Sequence, residues 1–535
     1  MPELNIQTRP PAGGEQAPAP SGQRELGGAL HQLGQQLVTA GRFDEARQSL
    51  ELSLGFLPGH AECHFDLANV YYTAGRVDEA IAEYRHAVRR DPKFAAAWFN
   101  MGVVLMQSER IPEAEHSFRR AVRFRPNDPE AHNNLGILLQ STGRGKEAAQ
   151  HYRTAAALRP GYYEPRFNLG ALLQDLGRLD EARQVFEELL ADCPEHTGAS
   201  NNLANVLTEM GRHAEARVCF EDVLRIDPQH NLSRWNLGLN QLRTGDWEPG
   251  WKNYESRRRG VRSDRPMWDG GALNGARILL LAEQGMGDLV QTVRFVREVA
   301  GRGGRTTLEC HSPLMELFGR MPEVEQVVEV GKDLPEHDYW LPMMSLPRVL
   351  ETTLDTLPVD VPYLAADPAR VEYWRERLGV WQGVRAGLAW SGNPKFRVNA
   401  KRSLTSNDVR HLSRVARHSA GAPVHLFSLQ KGVPAPVGAR LIPLDDDASS
   451  MDDLAAVMMN LDLVLTVDTS VAHLAGALGR PVWTMLGFHA DWRWMTAEHA
   501  RSPWYPTMRL FRQARQGDWS NVLDEVEAEL NAIRG

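Results

Sequence analysis

The sequence predicts an α-helical repeat region followed by an α/β region of two lobes. Two observations support this fold class. Turn-forming glycines and prolines recur every 34 residues in the first half, and apolar strand-like segments alternate with amphipathic helical segments from residue 277 onward. Strands that alternate with helices indicate parallel sheets. The predicted domains are a disordered leader at 1–25, a solenoid at 26–260, a linker at 261–276, and lobes at 277–365 and 366–535.

Composition and charge restrict the class of protein. The 535 residues are 42% hydrophobic and 24% charged, and the net charge is −8. This acidic balance disfavours a general nucleic-acid binder, because such proteins need a basic surface. Four scattered cysteines indicate a reducing compartment, so we expect a cytoplasmic protein. The leader lacks the basic and apolar segments of a signal peptide, and no apolar run is long enough to predict a membrane span.

The 34-residue period has several independent markers. Prolines recur at the end of each unit, at Pro58, Pro92, Pro126, Pro160, Pro194 and Pro228. An alanine and, four residues later, an aromatic side chain share the period, as in Ala114 and Phe118 or Ala148 and Tyr152. This pattern resembles the tetratricopeptide repeat (TPR), a pair of helices joined by a turn. We therefore expect about seven units that stack into a right-handed superhelix with a concave groove.

One column of the repeats predicts a protein-binding function. The same position of the first helix is occupied by Asp66, Asn100, Asn134, Asn168, Asn202 and Asn236. In the usual geometry of the repeat this position faces the groove, and an asparagine amide matches the donors and acceptors of an extended peptide. The functional hypothesis is a ladder that holds a polypeptide irrespective of its sequence. The alternative is that asparagine is simply common at this position.

The first strand end of the α/β region carries a candidate catalytic group. The segment EQGMGD follows an apolar strand and contains Gln284, Gly285, Gly287 and Asp288. Ligands of open parallel sheets bind beyond the carboxyl ends of the strands, and the glycines allow a substrate close approach. The alternative is that Asp288 only caps a helix, a position where aspartate is favoured.

Two strand ends of the second lobe are rich in lysine. Lys395 and Lys401 lie in the loop at 390–404, and Gln430 and Lys431 end the next strand. Three of the seven lysines of the chain therefore cluster at two loops, which predicts a phosphate or ribose site. The alternative is a pair of solvated polar loops. No metal site is expected, because the acidic run at 445–447 precedes a helix and is more simply its cap.

The most specific motif of the chain is a strand that runs directly into a helix. The strand LVLTVDT ends at Asp468 and Thr469, and Ser470 and His473 occupy the first helical turn. Free N–H groups and the helix dipole form an anion site at such a helix start. A cap needs only one of these side chains. We therefore predict a diphosphate site here, and Arg493 is a further candidate for a sugar carboxylate or phosphate contact.

At these residues the chain resembles a known enzyme family. The segment VDTSVAHLAGALGRPV at 467–482 is similar to the donor motif of heptosyltransferases, and GMGD is similar to the early Gly-Asp loop of that family. The resemblance implies two Rossmann-like lobes in the GT-B arrangement. It also implies that Asp288 is the catalytic base, that Asp468, Thr469 and His473 contact the donor, and, more loosely, that Lys395 binds phosphate. Ser470 stands where the family usually has glycine, which leaves the donor sugar open.

The complete layout resembles bacterial TPR-fused glycosyltransferases, some of which are implicated in modifying flagellin, and by layout alone the protein O-GlcNAc transferases. The resemblance implies an inverting, metal-independent transfer from a nucleotide-sugar co-substrate to a protein in the repeat groove, with flagellin as one candidate and no further cofactor. Two alternatives stay open. The acceptor could be a glycan, lipid-linked sugar or lipopolysaccharide, or the second half could be a non-catalytic relic in an interaction scaffold.

Overall fold

The computed structural model describes residues 21–257, 260, 262–392, 399–418, 423–444 and 450–533. The chain divides into two compact units between Val206 and Leu207. The first helix begins at Ser21, so residues 21–25 are helical although the sequence predicted them as part of a disordered leader. The rest of that leader lies outside the described residues.

The first unit is entirely α-helical over the residues that the structure describes there. Its helices are α1 (Ser21–Thr39), α2 (Phe43–Phe56), α3 (Ala61–Thr73), α4 (Val77–Arg90), α5 (Ala95–Gln107), α6 (Ile111–Phe124), α7 (Pro129–Ser141), α8 (Gly145–Leu158), α9 (Tyr163–Asp175), α10 (Leu179–Asp192) and α11 (Thr197–Glu209). Helix α11 ends beyond the boundary of the unit. Consecutive helices pack in pairs, which confirms the predicted helical repeats.

Small residues allow the two helices of a repeat to approach closely. Ala114 and Ala148 are completely buried, and so are the aromatic rings of Phe118 and Tyr152 that follow them. A Cβ atom added to Gly136 would lie 2.7 Å from the ring of Tyr152. The alanine and aromatic pattern of the sequence therefore corresponds to the contact between paired helices.

A second column of side chains ties each repeat to the turn before it. Trp98 donates from Nε1 to the carbonyl oxygen of Pro92 at 2.9 Å, and Nε2 of His132 lies 3.0 Å from the carbonyl oxygen of Pro126. Each donor stands six residues after the proline that it contacts. Buried carbonyl groups need such partners, so this column fixes the angle at which one repeat follows another. The sequence analysis did not identify it.

The structure corrects the predicted asparagine ladder at its second member. Asn100 is completely buried and donates from Nδ2 to Oδ1 of Asn69 at 2.9 Å. An amide in this position stabilises the interior of the repeats and has no access to a peptide. Asn134 is buried as well, with 6% of its surface exposed. At these two positions, burial rather than peptide binding accounts for asparagine.

The later members of the column are half-buried and already hydrogen-bonded. In the first unit, Asn168 donates to Oδ1 of Asn133 at 3.2 Å, and Asn202 accepts from Nδ2 of Asn201 at 3.3 Å. Asn236 belongs to the second unit and is half-buried there. These three side chains keep part of their surface in solvent, so the peptide-binding prediction now applies to them alone.

The second unit combines further helices with two sheets. Its strands are β1 (Arg277–Leu281), β2 (Arg305–Cys310), β3 (Val324–Glu329), β4 (Tyr339–Pro342), β5 (Val384–Ala389), β6 (Val424–Ser428), β7 (Leu463–Val467), β8 (Val482–Leu486) and β9 (Met508–Arg512). Its helices are α12 (His213–Ile226), α13 (Asn231–Thr244), α14 (Trp247–Tyr254), α15 (Met286–Thr292), α16 (Val296–Gly301), α17 (Met315–Gly319), α18 (Leu346–Val349), α19 (Pro368–Leu378), α20 (Asn399–Arg402), α21 (Ser406–His418), α22 (Met451–Met459), α23 (Ser470–Ala477) and α24 (Ser520–Ile533).

The two sheets define two lobes. The first lobe contains the strand order β3-β2-β1-β4, the second lobe contains β6-β5-β7-β8-β9, and every paired strand is parallel. The predicted fold class is confirmed: helical repeats precede a parallel α/β region whose two lobes are consistent with a GT-B arrangement. In the described part of the chain, none of the helices has the length and apolarity needed to span a membrane.

The last three helices of the repeat pattern, α12 to α14, belong to the second unit. Trp247, Trp251 and Tyr254 of α14 are buried in one hydrophobic core with Trp492 and Trp504 of the second lobe. Nε1 of Trp251 also donates to the carbonyl oxygen of Thr352 at 3.1 Å. The sequence period placed the end of the solenoid at residue 260, whereas the packing of side chains joins α12–α14 to the α/β lobes.

We predict that Gly136→Ala destabilises the first unit by about 1–3 kcal/mol, because the new methyl group would overlap the buried ring of Tyr152. The matched control is Gly55→Ala in α2, where no atom lies within 4 Å of an added Cβ. Alanine is the better helix former, so this variant should be as stable as the parent or more stable. Urea unfolding followed by far-ultraviolet circular dichroism measures both, and equal stabilities would contradict the packing argument.

Candidate active site

The two lobes share a cleft of about 1180 Å³ within the second unit. The first lobe lines it with Gln284, Gly285, Met286, Gly287, Asp288 and His311. The second lobe contributes, among others, Ser391, Arg402, Gln430, Lys431, Asp468, Thr469, Ser470, His473, Asp491 and Arg493. Most of the site residues predicted from separate loops therefore meet at one cleft.

Asp288 occupies the first turn of α15. Its Oδ2 accepts from the backbone N–H of Gly285 at 2.8 Å. Gly285 is the N-cap residue and Asp288 is at the third helical position, so Asp288 supports the cap and is not the N-cap itself that the sequence left as an alternative. Its Oδ1 accepts from Nη2 of Arg493 at 2.5 Å, so the carboxylate is also held from the second lobe. The side chain keeps 19% of its surface exposed towards the cleft. In this geometry Asp288 can bond to the start of α15 and still contact a substrate in the cleft.

Arg493 is the most heavily bonded cation of the cleft. It donates from Nη1 to Asp491 at 2.8 Å and from Nε to Oε1 of Gln291 at 2.7 Å, and its guanidinium lies 4.4 Å from the ring centre of Trp492. Burial disfavours its charge, but Asp491 and Asp288 outweigh burial and raise its pKa. The same contact holds the pKa of Asp491 below its ordinary value, although burial acts in the opposite direction. Arg493 is therefore a fixed cation whose charge is already used within the protein.

One of the polar side chains at the start of α23 caps the helix. The hydroxyl of Thr469 accepts from the backbone N–H of Val471 at 3.3 Å, and it also lies 3.2 Å from the hydroxyl of Thr466. Thr469 is therefore the structural cap. Asp468 and Ser470 are not needed for capping, and both line the cleft.

His473 lies at the contact between the two lobes. Its Nδ1 is 2.9 Å from the hydroxyl of Tyr505, and its ring stacks on Trp494 with centres 5.2 Å apart. Burial, followed by the charge of Arg493, lowers the pKa of His473 to about 3, so the imidazole is neutral near pH 7. A Cβ atom on Gly287 would lie 2.8 Å from Cδ2 of His473. Glycine at 287 therefore allows α15 and α23 to touch.

Asp468 has an unusual charge state. Burial, followed by the negative charge of Asp491, raises its pKa to about 6, although Arg402 and Arg493 act in the opposite direction. Near pH 7 the carboxyl group is close to the range in which it takes up a proton. A carboxyl group of this kind can either donate or accept a hydrogen bond from a sugar hydroxyl.

The three lysines that the sequence predicted as donor contacts have different outcomes. Lys431 lines the cleft, and its Nζ lies 3.3 Å from the carbonyl oxygen of Ser450. Lys401 is exposed and is not among the residues that line the cleft, whereas its neighbour Arg402 lines it. Successive residues of a helix face directions about 100° apart, which accounts for the difference. Lys395 lies outside the described residues.

Gln430 has a structural function in the second lobe. Its Oε1 accepts from the backbone N–H groups of Trp390 and Ser391, at 3.1 Å and 2.9 Å. Its Nε2 donates to the carbonyl oxygen of Lys431 at 3.1 Å. The side chain therefore ties the end of β5 to the end of β6. It also lines the cleft, and its contact with the sugar donor stays a prediction.

Sequence reasoning missed Asp491 and His311 as cleft residues. Asp491 follows the strand β8, so the strand-end argument could have found it. No group of three or more His, Cys, Asp or Glu side chains is arranged to hold a metal ion within the described ranges, and the acidic run at 445–447 lies outside them. Metal independence stays a prediction.

We predict that Asp468→Asn stabilises the second unit at pH 7 but not at pH 4. Because folding raises the pKa of Asp468 to about 6, the folded chain binds more protons than the unfolded chain between about pH 4 and 6. The free energy of unfolding of the parent then falls by about 2 kcal/mol as the pH rises through this window. The variant has no carboxyl group at 468, so its free energy of unfolding does not include this decrease.

Urea unfolding followed by tryptophan fluorescence suits this measurement, because every tryptophan except Trp98 lies in the second unit. The difference between variant and parent should grow from near zero at pH 4 to its full value at pH 7. A constant difference at both pH values would show that Asp468 is not held with a raised pKa.

Comparisons with known proteins bear on both halves of the chain. The model of the cilia and flagella-associated protein 70 C-terminal domain, a TPR family, matches residues 12–238. The model of glycosyltransferase family 9 (heptosyltransferase) matches residues 448–517, a range that contains Asp468, His473 and Arg493. Among curated proteins, Protein FlbA of Caulobacter vibrioides is 28% identical over 319 residues, which are 52% of each chain. The chain thus spans about half the length of this relative.

Solved TPR proteins resemble the helical part. The crystal structure of YrrB, described as a TPR protein with an unusual peptide-binding site, is 24% identical, and the match covers 34% of this chain and 95% of that one with a TM-score of 0.32. PilF of Pseudomonas aeruginosa is 21% identical, with 40% and 97% covered and a TM-score of 0.35. With the two family matches, the chain combines a TPR-like N-terminal region with a heptosyltransferase-type glycosyltransferase segment in its second lobe.

Proposed function

We propose that this chain is a glycosyltransferase that moves a sugar from a nucleotide-sugar donor to a hydroxyl group of a protein. The observation that carries the proposal is the meeting of Asp288 from the first lobe with the start of α23 from the second lobe in one cleft. An acceptor hydroxyl needs a carboxylate that can take up its proton, and Asp288 lies on one wall. A diphosphate needs an anion-binding helix start, and α23 begins on the other wall. The glycosyltransferase family 9 match at 448–517 supports the same activity.

In this proposal the reaction is a direct displacement that inverts the configuration at the anomeric carbon. The acceptor oxygen attacks that carbon and forms the new C–O bond, while Asp288 takes up the hydroxyl proton. The bond from the anomeric carbon to the diphosphate oxygen breaks, and its electron pair leaves with the nucleotide diphosphate. The contact with Gly285 keeps the carboxylate at the first turn of α15, and its exposed surface faces the cleft.

The donor would lie against the second lobe. Arg402, Lys431 and the backbone N–H groups at the start of α23 supply positive charge for the diphosphate, in place of a metal ion. Asp468 and Ser470 are placed for hydroxyl groups of the sugar or ribose. The neutral His473 adds a hydrogen-bonding wall without adding charge, because its pKa is held at about 3.

The acceptor side rests on the repeats. TPR-like solenoids present a concave surface to protein segments. The half-buried asparagines Asn168, Asn202 and Asn236 retain surface for such a contact. A protein acceptor is therefore proposed ahead of a glycan, and flagellin is the first candidate to test.

We predict that Asp288→Asn lowers the rate of transfer at least 100-fold, because the amide cannot accept the hydroxyl proton. The amide oxygen can still accept from Gly285, but the ion pair with Arg493 is lost, so calorimetric binding of a nucleoside diphosphate to the variant checks that the cleft persists. The control is Asp367→Asn, which changes another helix-capping aspartate, bonded to the N–H groups of Ala369 and Arg370 and outside the cleft lining. Intact mass spectrometry of flagellin incubated with activated sugars measures transfer. Full transfer by the Asp288 variant would reject the assigned base.

We predict that Lys431→Met raises KM for the nucleotide sugar about tenfold and leaves kcat near the parent value, because it removes a charge from the diphosphate site and not from the reacting atoms. Lys332→Met is the matched control, since Lys332 is an exposed lysine of the first lobe that does not line the cleft. Calorimetric titration with nucleoside diphosphates gives the affinity directly. Equal affinity of both variants would place the diphosphate elsewhere.

A further inference from the structure

The last helix of the repeat pattern reaches the loop that carries Asp288. The hydroxyl of Tyr254, at the end of α14, accepts from Nε2 of Gln284 at 2.6 Å. Burial raises the pKa of Tyr254, so its side chain stays a neutral phenol. Two neighbouring contacts strengthen the attachment: Arg257 pairs with Glu283 at 2.7 Å, and the ring of Tyr254 packs on Trp492.

The contact continues from Gln284 to the carboxylate. Because the amide nitrogen of Gln284 faces Tyr254, its Oε1 is turned towards Nη2 of Arg493, at 3.5 Å. The same Nη2 donates to Oδ1 of Asp288 at 2.5 Å. Tyr254, Gln284, Arg493 and Asp288 thus form a continuous polar chain from the repeat helix to the cleft.

The backbone at Gln284 needs this support. Its φ of 60° lies in the left-handed region, which a residue with a side chain rarely adopts. Met495, two residues after Arg493, has a φ of 61°. Such conformations persist where the surrounding contacts hold them, and they concentrate at functional sites. Both loops that meet in the Arg493–Asp288 ion pair are therefore held away from their preferred backbone conformation.

We infer that Tyr254 is a positioning residue for the proposed catalytic base: through Gln284 it holds the loop at 283–288 so that Asp288 faces the cleft. This inference rests on the proposed function for the identity of the base. It assigns to α14 a part in the active site, beyond protein recruitment by the repeats.

A second tyrosine of the repeats provides a matched control. Tyr152 occupies the same position of the 34-residue period, is likewise buried, and donates from its hydroxyl to Oε1 of Gln140 at 2.8 Å. Tyr152 and its glutamine both lie in the first unit. Tyr254→Phe and Tyr152→Phe each remove one partly buried tyrosine–glutamine hydrogen bond, and only the first of these bonds involves the cleft loop.

The test measures transfer and loop dynamics on the full chain. We expect Tyr254→Phe to lower kcat about tenfold with KM for the nucleotide sugar within twofold of the parent, whereas Tyr152→Phe keeps both constants. Adding Tyr254→Phe to Gln284→Ala should cause no further loss, because the tyrosine acts through that amide. Hydrogen–deuterium exchange of the amides at 285–288 should be faster in Tyr254→Phe alone.

Two results would overturn the inference: equal kcat values for the two tyrosine variants, or unchanged exchange at 285–288 in Tyr254→Phe. The exchange experiment needs no substrate, so it decides the positioning of the loop even if the parent transfers no sugar. A parent without transfer, or an Asp288→Asn variant with full transfer, would instead reject the proposed function. The two failures are therefore distinguishable.

Discussion

The arrangement of the cleft depends on the ion pair between Arg493 and Asp288, which joins the two lobes at 2.5 Å. Arg493 has only 7% of its side chain exposed, and a buried guanidinium is costly unless acceptors surround it. Asp288, Asp491 and Gln291 supply those acceptors. Because the acceptors come from both lobes, the guanidinium fixes the loop of the base relative to the loop after β8.

The electrostatics of the cleft follow from that arrangement. The charge of Arg493 is paired with Asp491 and Asp288, and among the described residues Arg402 and Lys431 are the other basic side chains with which the second lobe lines the cleft. Within the part of the chain that the structure describes, the first lobe thus lines the cleft with one carboxylate, Asp288, and the second lobe lines it with the cations and with Asp468 and Asp491.

The parts of the fold that follow from local sequence patterns could be predicted. The 34-residue period gave the paired helices, and apolar segments that alternate with helices gave both parallel sheets. The boundary of the units was not predictable in this way. Helices α13 and α14 keep the sequence marks of a repeat, yet Trp247 and Trp251 pack with Trp492 and Trp504, and that choice depends on tertiary contacts that no period encodes.

The site shows the same division between local and tertiary information. Each sheet places the carboxyl ends of its parallel strands at one edge, which is why the strand ends pointed to Asp288 in the first lobe and to Asp468 and His473 in the second. That the two edges face one cleft depends on how the lobes pack. The individual contacts were not predicted. Thr469 caps α23 through the N–H of Val471, a local contact, whereas Gln430 ties β6 to β5 through N–H groups that lie about 40 residues away in sequence. Tyr254 is the clearest case. Its place in the repeat fixes the burial of the ring, while the partner of its hydroxyl, Gln284, is set by the lobe on which α14 packs.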